Sequence, residues 1–449
     1  MDDTLLVDDV TRLNPVRVGQ VIRPVSVEEV QQHVRGHKGR ISIGGGRYSM
    51  GGQTALEGSL HLDMRGMNTI LDFNPQQKTI RVQAGIRWRD IQQHIDPHDL
   101  SVKIMQTYAN FTVGGSLSVN VHGRYIGLGP LILSVRSILL VLADGSRVEA
   151  SPSHNSELFY GAIGGYGGLG IIVEAELELA DNVAMERETI RMPASAYADF
   201  FRDQVRDSGN AIFHNADIYP PHYARVCAVT WRQTDKPVTV PHRLMPVKKN
   251  YWLERYFIWA FTETPFGKWR REHVIDPLLY RKPKVVWRNY EASYDVAELE
   301  PTSRARTTYV LQEYFVPVAQ FGRFLPLMSA ILQRHKANLL NISVRHAHKD
   351  PGSILAWARE EVFSFVIYYK QGVGKAACEK VAQWTRELID AAIACGGCHY
   401  LPYQPHATVE QFHAAYPRAR EFFALKRTHD PEGKFMNKLL EKYYEKDAA

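Results

Sequence analysis

The chain has 449 residues, 45% hydrophobic and 23% charged, with a formal net charge of +6. That is enough for two or three domains around a well-buried core, and the balance excludes a disordered or fibrous chain. Four cysteines (Cys227, Cys378, Cys395, Cys398) exclude a disulfide framework, and no apolar run approaches the ~20 residues of a spanning helix. The N-terminus, MDDTLLVDDV, lacks the basic flank and apolar stretch of a secretion signal, so a cytoplasmic protein is expected.

Ser26 opens SVEEVQQHVRGH with Glu29 three residues on, the spacing of a capping box, and Val30 and Val34 share one helical face. A short strand from Ile41 then runs into GGGRYSMGGQ. Glycine takes positive φ and lets successive N–H groups converge on one anion. Pyrophosphate is a natural guest, with Arg47 and Ser49 as further donors. The loop lacks the closing Gly-Lys-Ser/Thr of a P-loop and the spacing of a Rossmann fingerprint. Taken alone, a turn-rich hairpin accounts for it equally well.

His61–Met64 reads as a strand, Arg65–Thr69 as a turn, Lys78–Ala84 as an alternating strand and Arg89–Ile95 as a helix. Two further glycine-rich stretches follow, TVGGSLSVNVHGR from Thr112 and ELFYGAIGGYGGLGII from Glu157. Between them SILLVLADGSRVEA reads as two strands joined by an Asp-Gly turn. Three such segments, each beside a strand, suggest an elongated cofactor lying over closely approaching backbone.

Beyond Ala180 the pattern changes. Met192–Asp207 is helix-like, and Ala211–Asp217 and Arg225–Trp231 read as strands. Arg243–Arg288 then carries eleven Lys/Arg against four Asp/Glu, with Trp252, Trp259, Trp269 and Trp287. Pro265, Pro277 and Pro283 keep it from being one long helix. A strand (Thr308–Phe315), a helix (Val318–Arg334), two strands (Asn338–Arg345, Val362–Tyr369) and a helix (Val373–Ala394) follow. This β-α-β-β-α-β rhythm suggests an antiparallel sheet with helices on one face. Cys395 and Cys398 have no second pair nearby, so they read as a helix-end coincidence and no metal is expected.

The ordered set VIRPVSVEEVQQHV, GGGRYSMGGQ, LDMRGMNTI, VQAGIRWRDIQQHI, TVGGSLSVNVHG, VRSILLVLADG and ELFYGAIGGYGGLGIIVEAEL resembles the FAD-binding domain of the vanillyl-alcohol oxidase and p-cresol methylhydroxylase (PCMH) superfamily. The C-terminal half is similar to its sugar-oxidising branch, the alditol, aldonolactone and, most closely, decaprenylphosphoryl-β-D-ribose oxidases. EYFVP at Glu313 and GGCHYLPYQPHATVEQFHAAYPRAREFFALKRTHDPEGKFMNK carry that likeness.

The resemblance implies an α+β fold. A PCMH-type FAD-binding domain would span residues 1–181 and be completed by the tail 425–449. A substrate (cap) domain, 182–424, would hold an antiparallel sheet covered by helices and the basic aromatic segment 243–288. The activity implied is FAD-dependent oxidation of an alcohol group of a polyol, aldonolactone or lipid-linked sugar, by hydride transfer to flavin N5, with oxygen or a quinone as acceptor. FAD would contact Gly44, Gly45, Gly46, Arg47, Tyr48, Ser49, Met50 and Gln53 in the first loop. Thr107, Thr112, Gly114, Gly115, Ser118, His122 and Gly123 follow, then Gly164, Gly165, Ile171 and Ile172, with Tyr400 and Asn437 from the tail.

Many relatives bond a histidine to the flavin just before the serine of the first loop. Here that position is Tyr48, and no cysteine lies in the motifs, so noncovalent FAD is expected. His122 matches a histidine facing the flavin; a structural histidine bonded to carbonyls is the alternative. Tyr403 stands where the sugar oxidases place a lysine. A phenol takes a hydroxyl proton only if its pKa falls from ~10 through a nearby cation, and Arg345 is the candidate. His346 and His348 are alternative bases, although strand alternation turns His346 away from Arg345. A Tyr403 that only lines the pocket is equally open.

The basic aromatic segment reads as a solvated surface or as peripheral attachment to an anionic membrane. No module frames it for nucleic acid. Two rival functions remain at this level: a flavin-dependent C=C reductase resembling Δ24-sterol reductases, and a binding module with a vestigial flavin fold.

Overall fold

The structure is a computed structural model that describes residues 3–247, 251–301 and 303–444, with the backbone alone at 3, 253, 254 and 261. Lys248 and Lys249 of the basic segment lie outside the described residues.

Three larger sheets organise the described residues, beside a two-stranded ribbon of Leu6–Val7 and Val16–Arg17. A parallel three-stranded sheet has Leu60–Asp63 at its centre, between Gln20–Ile22 and Ile41–Gly44. Helix Val27–Gly36 covers it with Val27, Val30 and Val34, the face expected from their spacing. Ser26 Oγ accepts from the Glu29 N–H, but the Glu29 carboxylate takes the Val25 N–H, so the expected box closes one residue early.

The second sheet is antiparallel and has Ile171–Asp181 as its long central strand. Val135–Val141 pairs on one side and Thr79–Gln83 on the other, with Arg147–Ala150 and Ile70–Asn74 outermost and Leu100–Val102 along the far end of the central strand. The Asp-Gly hairpin forms as expected, with Val141 opposite Arg147.

The third sheet has eight strands, all antiparallel. In spatial order they are Val285–Trp287, Ala184–Pro193, Arg225–Gln233, Ala211–Ile218, Leu339–Ala347, Val362–Gly372, Thr307–Pro317 and Cys398–His399. Helices Phe321–Arg334 and Lys375–Ala394 cover one face; Phe321 and Phe324 meet Phe363 and Phe365 there. The other face is left for the site. The expected helix Met192–Asp207 is shorter, because Met192 still belongs to strand Ala184–Pro193; the α-helix is Tyr197–Phe201, continued as a π-turn over Arg202–Arg206.

The tail returns to the first sheet. Phe435, fully buried, bridges to Ile41 in parallel. Lys426 is also buried, and its ammonium bonds the Asp430 carboxylate and the Gly168 and Phe435 carbonyls. Three acceptors offset the cost of desolvating that charge, and they tie the tail to the third glycine-rich segment. Cys395 caps helix Lys375–Ala394, and Cys398 donates to the Trp357 carbonyl; burial pushes the Cys398 thiol up to about 12. No helix among the described residues is long and apolar enough to cross a membrane.

Candidate active site

Two clefts meet at the first glycine loop, sharing Gly45, Ser49, Thr112 and Gly115 as lining. The larger, about 1290 Å³ with its open mouth, runs between the loop and the bare face of the eight-stranded sheet. The smaller, about 600 Å³, continues past Gly114 and Ser118 to Gly167 and Ile172. Together they make one trench along the loop.

The loop's glycines, Gly52 apart, serve space and not, as the sequence suggests, positive φ. In Ile41–Gln53 only Arg47 and Gly52 have positive φ, at 60° and 73°. A Cβ on Gly45 would lie 2.3 Å from Thr112 Oγ1, and one on Gly51 would lie 2.4 Å from the Tyr403 carbonyl oxygen. Thr112 is itself committed: its hydroxyl caps helix Val113–Ser118 at the Gly115 N–H. Behind the loop, His61 Nδ1 meets Ser42 Oγ at 3.0 Å; burial and the Arg47 charge lower its pKa to about 4.

The expected residues divide. Gly45, Gly46, Arg47, Tyr48, Ser49, Met50, Thr107, Thr112, Gly115, His122, Tyr400, Tyr403 and Arg345 line the larger cleft. Gly44, Gln53, Gly114, Ser118, Ile171 and Ile172 line the smaller. Gly123, Gly164, Gly165 and Asn437 line neither. Gly164 turns the chain at φ 83°, and Gly165 packs against Phe422, so the cleft wall is made by the next residues, Tyr166, Gly167 and Gly170. Asn437 caps helix Lys438–Tyr443 and holds the Tyr166 carbonyl from behind.

The chemistry gathers on a residue that sequence reasoning passed over, Glu313. Register explains why it meets Arg345: Arg345 lies opposite Ser364 and Ser364 opposite Phe315, while Val366 lies opposite Glu313. With a side-chain period of two, Arg345, Ser364 and Glu313 therefore share the bare face. Glu313 is 2% exposed. Its Oε1 sits 2.5 Å from His122 Nε2 and also accepts from Ser364 Oγ. Its Oε2 accepts from Tyr403 Oη at 3.1 Å. Burial raises this carboxyl, but His122, Arg345 and Ser364 outweigh it and hold the pKa below the usual range. His122 Nδ1 faces the Gly123 carbonyl at 3.1 Å, so both of its ring nitrogens meet acceptors.

The lowered pKa that a base at Tyr403 would need is not found. Burial, together with the Glu313 charge, pushes its pKa well above the ordinary phenol value, and the opposing pull of Arg345 is smaller. Tyr403 is a neutral donor to Glu313. Arg345 is half-buried with its Nε out of reach of water, and desolvation lowers its pKa, yet a guanidinium stays charged. Its Nε is without a partner, as are Arg47 Nε and Thr107 Oγ1. Buried donors of this kind await an acceptor; with the close backbone at Gly45 they suit a flavin dinucleotide and an oxygen-rich substrate.

His346 and His348 are not at the site. His346 Nε2 lies 2.7 Å from Glu361 Oε1, and its ring packs on Phe201, under the helices. With His348 these groups fall within 4.8 Å of one another, but Arg206, 3.6 Å from the same carboxylate, opposes a metal ion there. The signal for Glu313 was one acidic residue inside the apolar strand LQEYFVP; alternation alone does not say which partners it meets.

Known proteins resemble this chain in sequence and in fold. Residues 18–151 match the family described as "FAD binding domain". L-Gulonolactone oxidase of Bos taurus is 24% identical over 94% of this chain and 94% of its own. Decaprenylphosphoryl-beta-D-ribose oxidase of Mycolicibacterium smegmatis is 23% identical over 90% of this chain and 89% of its own. Among solved structures, a histidine-to-alanine mutant of cholesterol oxidase from Brevibacterium sterolicum shares the fold, with a TM-score of 0.73 over 98% of this chain and 97% of that one, at 13% identity.

Proposed function

We propose that this FAD-dependent oxidoreductase belongs to the vanillyl-alcohol oxidase and PCMH superfamily, that it oxidises an alcohol group of a polyol, aldonolactone or lipid-linked sugar, and that Glu313 receives the hydroxyl proton. Bound FAD, held noncovalently beside Tyr48, supplies the hydride acceptor at flavin N5. The observation that carries the reading is the buried Glu313 carboxylate, ringed by His122, Ser364, Tyr403 and Arg345 in the cleft that adjoins the glycine loop.

Each side chain has a part. Ionised Glu313 has acceptor capacity left on Oε2 for a substrate hydroxyl. Arg345 fixes a substrate oxygen through its unpartnered Nε and keeps Glu313 ionised. Tyr403 and Ser364 orient the carboxylate. The other carboxylate lining the cleft, Glu300, is exposed and lacks this surround. Residues 1–181 with the tail 425–449 would hold FAD, and 182–424 would supply the substrate wall. Oxygen or a quinone then takes the electrons, and an anionic membrane is the surface from which a lipid-linked substrate would come.

The test is anaerobic reduction of the bound flavin by sugar alcohols, aldonolactones and glycosyl lipids. Bleaching of the flavin by one of these supports the reading. Reduction by NAD(P)H and by none of the alcohols would replace it with a C=C reductase.

A further inference from the structure

Nine of the fifteen exposed large hydrophobic side chains among the described residues lie between Trp252 and Leu279. They belong to one arm, helix Trp252–Glu263 followed by the helical segments Gly267–Arg270 and Asp276–Tyr280. Trp252, Tyr256 and Trp259, spaced at i, i+4 and i+7, make a stripe that is 66%, 55% and 48% exposed. Phe266 (79%), Trp269 and Leu278 continue it.

The inner side of the arm's second half, residues 271–276, is polar. Arg271 bonds the Leu340 carbonyl and Asp217; Arg191 donates to the Glu272 carbonyl; Tyr219 Oη donates to Asp276. Over this half the usual order, apolar inward and polar outward, is thus reversed, and along helix Trp252–Glu263 the aromatic stripe faces outward. Water disfavours that arrangement unless an apolar phase covers the outer side. The charges exposed on the arm are mainly cationic: Arg270, Arg281 and Lys282 are exposed and Lys268 is half-buried, whereas Glu263 is paired with Lys370. Tryptophan and phenylalanine interleaved with Lys/Arg is the chemistry of a segment seated among anionic headgroups. A second copy of the chain would present the same positive arm and be repelled.

The arm also abuts the cleft. Helix Trp252–Glu263 packs beside Val296–Leu299, whose ends line the cleft, and Thr262 Oγ1 lies 3.3 Å from the hydroxyl of Tyr309, another lining residue. We propose that this arm docks on an anionic lipid bilayer and holds the cleft mouth against it. The alcohol taken up is then one whose apolar part stays in the bilayer, a consequence that rests on the oxidation proposed above.

The experiment is co-sedimentation of the flavin-loaded protein with vesicles of phosphatidylcholine alone or of equimolar phosphatidylcholine and phosphatidylglycerol. Binding is expected to the mixed vesicles only, weakening as salt shortens a Debye length of ~8 Å but not vanishing. Each basic side chain at such a surface is worth about fivefold in partitioning, so Arg270→Glu, Arg281→Glu and Lys282→Glu together should weaken binding at least ~100-fold with flavin absorbance unchanged. Trp252→Ser with Trp259→Ser should remove the part that resists salt, and brominated lipid should quench the wild-type tryptophan emission. Equal sedimentation with both vesicle types, none with either, or a dimer abolished by the same substitutions would overturn the proposal. None of these readouts depends on turnover, so a failure of the alcohol reading leaves them standing.

Discussion

Replacing Glu313 by Gln keeps the shape of the side chain and removes its charge. The carboxylate is 2% exposed and meets His122, Ser364 and Tyr403 directly, with Arg345 close enough to lower its pKa. Loss of a positioned proton acceptor costs about 10²–10⁴-fold in rate, or ~3–5 kcal/mol of barrier. Removing one member of a buried ion pair also destabilises by about 3–5 kcal/mol, so flavin content and the unfolding midpoint must be measured beside the rate. The assay is stopped-flow flavin reduction by the best alcohol as a function of pH. Ser364→Ala supplies the control that a merely structural role would not reproduce. The Ser364 hydroxyl lowers the Glu313 pKa; without it that pKa rises, and the acid limb of the reduction rate should move to higher pH. A Glu313→Gln variant with full flavin and less than about a tenfold loss of rate, or an acid limb unmoved by Ser364→Ala, would refute the assignment of Glu313 as proton acceptor.

Gly45→Val should give apoprotein, because its side chain would displace Thr112 Oγ1, 2.3 Å from the ideal Cβ, and intrude on the trench; flavin absorbance per mole of protein reads this out. FAD should leave the wild-type protein on acid precipitation, and flavin remaining in the pellet would point to covalent attachment at Tyr48 or elsewhere. Tyr403→Phe should slow flavin reduction by less than about tenfold, since a phenol with a raised pKa only donates to Glu313; Arg345→Met, which strips the substrate anchor, should chiefly raise the substrate concentration needed for half-maximal reduction. His61 is fully buried with a pKa of about 4 against an ordinary ~6.5, so the unfolded chain takes the proton first and stability falls as pH drops from about 6.5 towards 4. Between about pH 7.5 and pH 5 that loss is ~2 kcal/mol, and urea denaturation should show a smaller pH dependence in His61→Gln.

What the sequence determined by itself is local or carried by a run of neighbours. The valines of SVEEVQQHV, the Asp-Gly hairpin and the alternating strands form as read, because helical and strand periodicities are set within a few residues. The glycine-rich segments marked the trench for a related reason: close backbone approach excludes a Cβ wherever it occurs. Even so, the sequence pointed to positive φ where the structure shows a need for space, since only the fold brings Thr112 to Gly45 and Tyr403 to Gly51. His122, Arg345 and Tyr403 were named from the sequence, but their meeting around Glu313 and Ser364 was decided by tertiary structure. His122, Glu313, Arg345, Ser364 and Tyr403 come from five separate segments, and strand register, not spacing along the chain, sets which of them share a face. The same holds for Tyr403: its identity suggested a base awaiting a cation, but burial beside Glu313 raises its pKa, and burial is a property of the packed molecule. The arm Trp252–Tyr280 was legible as basic and aromatic; which side of it faces water is settled by the polar tethers to Asp217 and Leu340, contacts that no local pattern encodes.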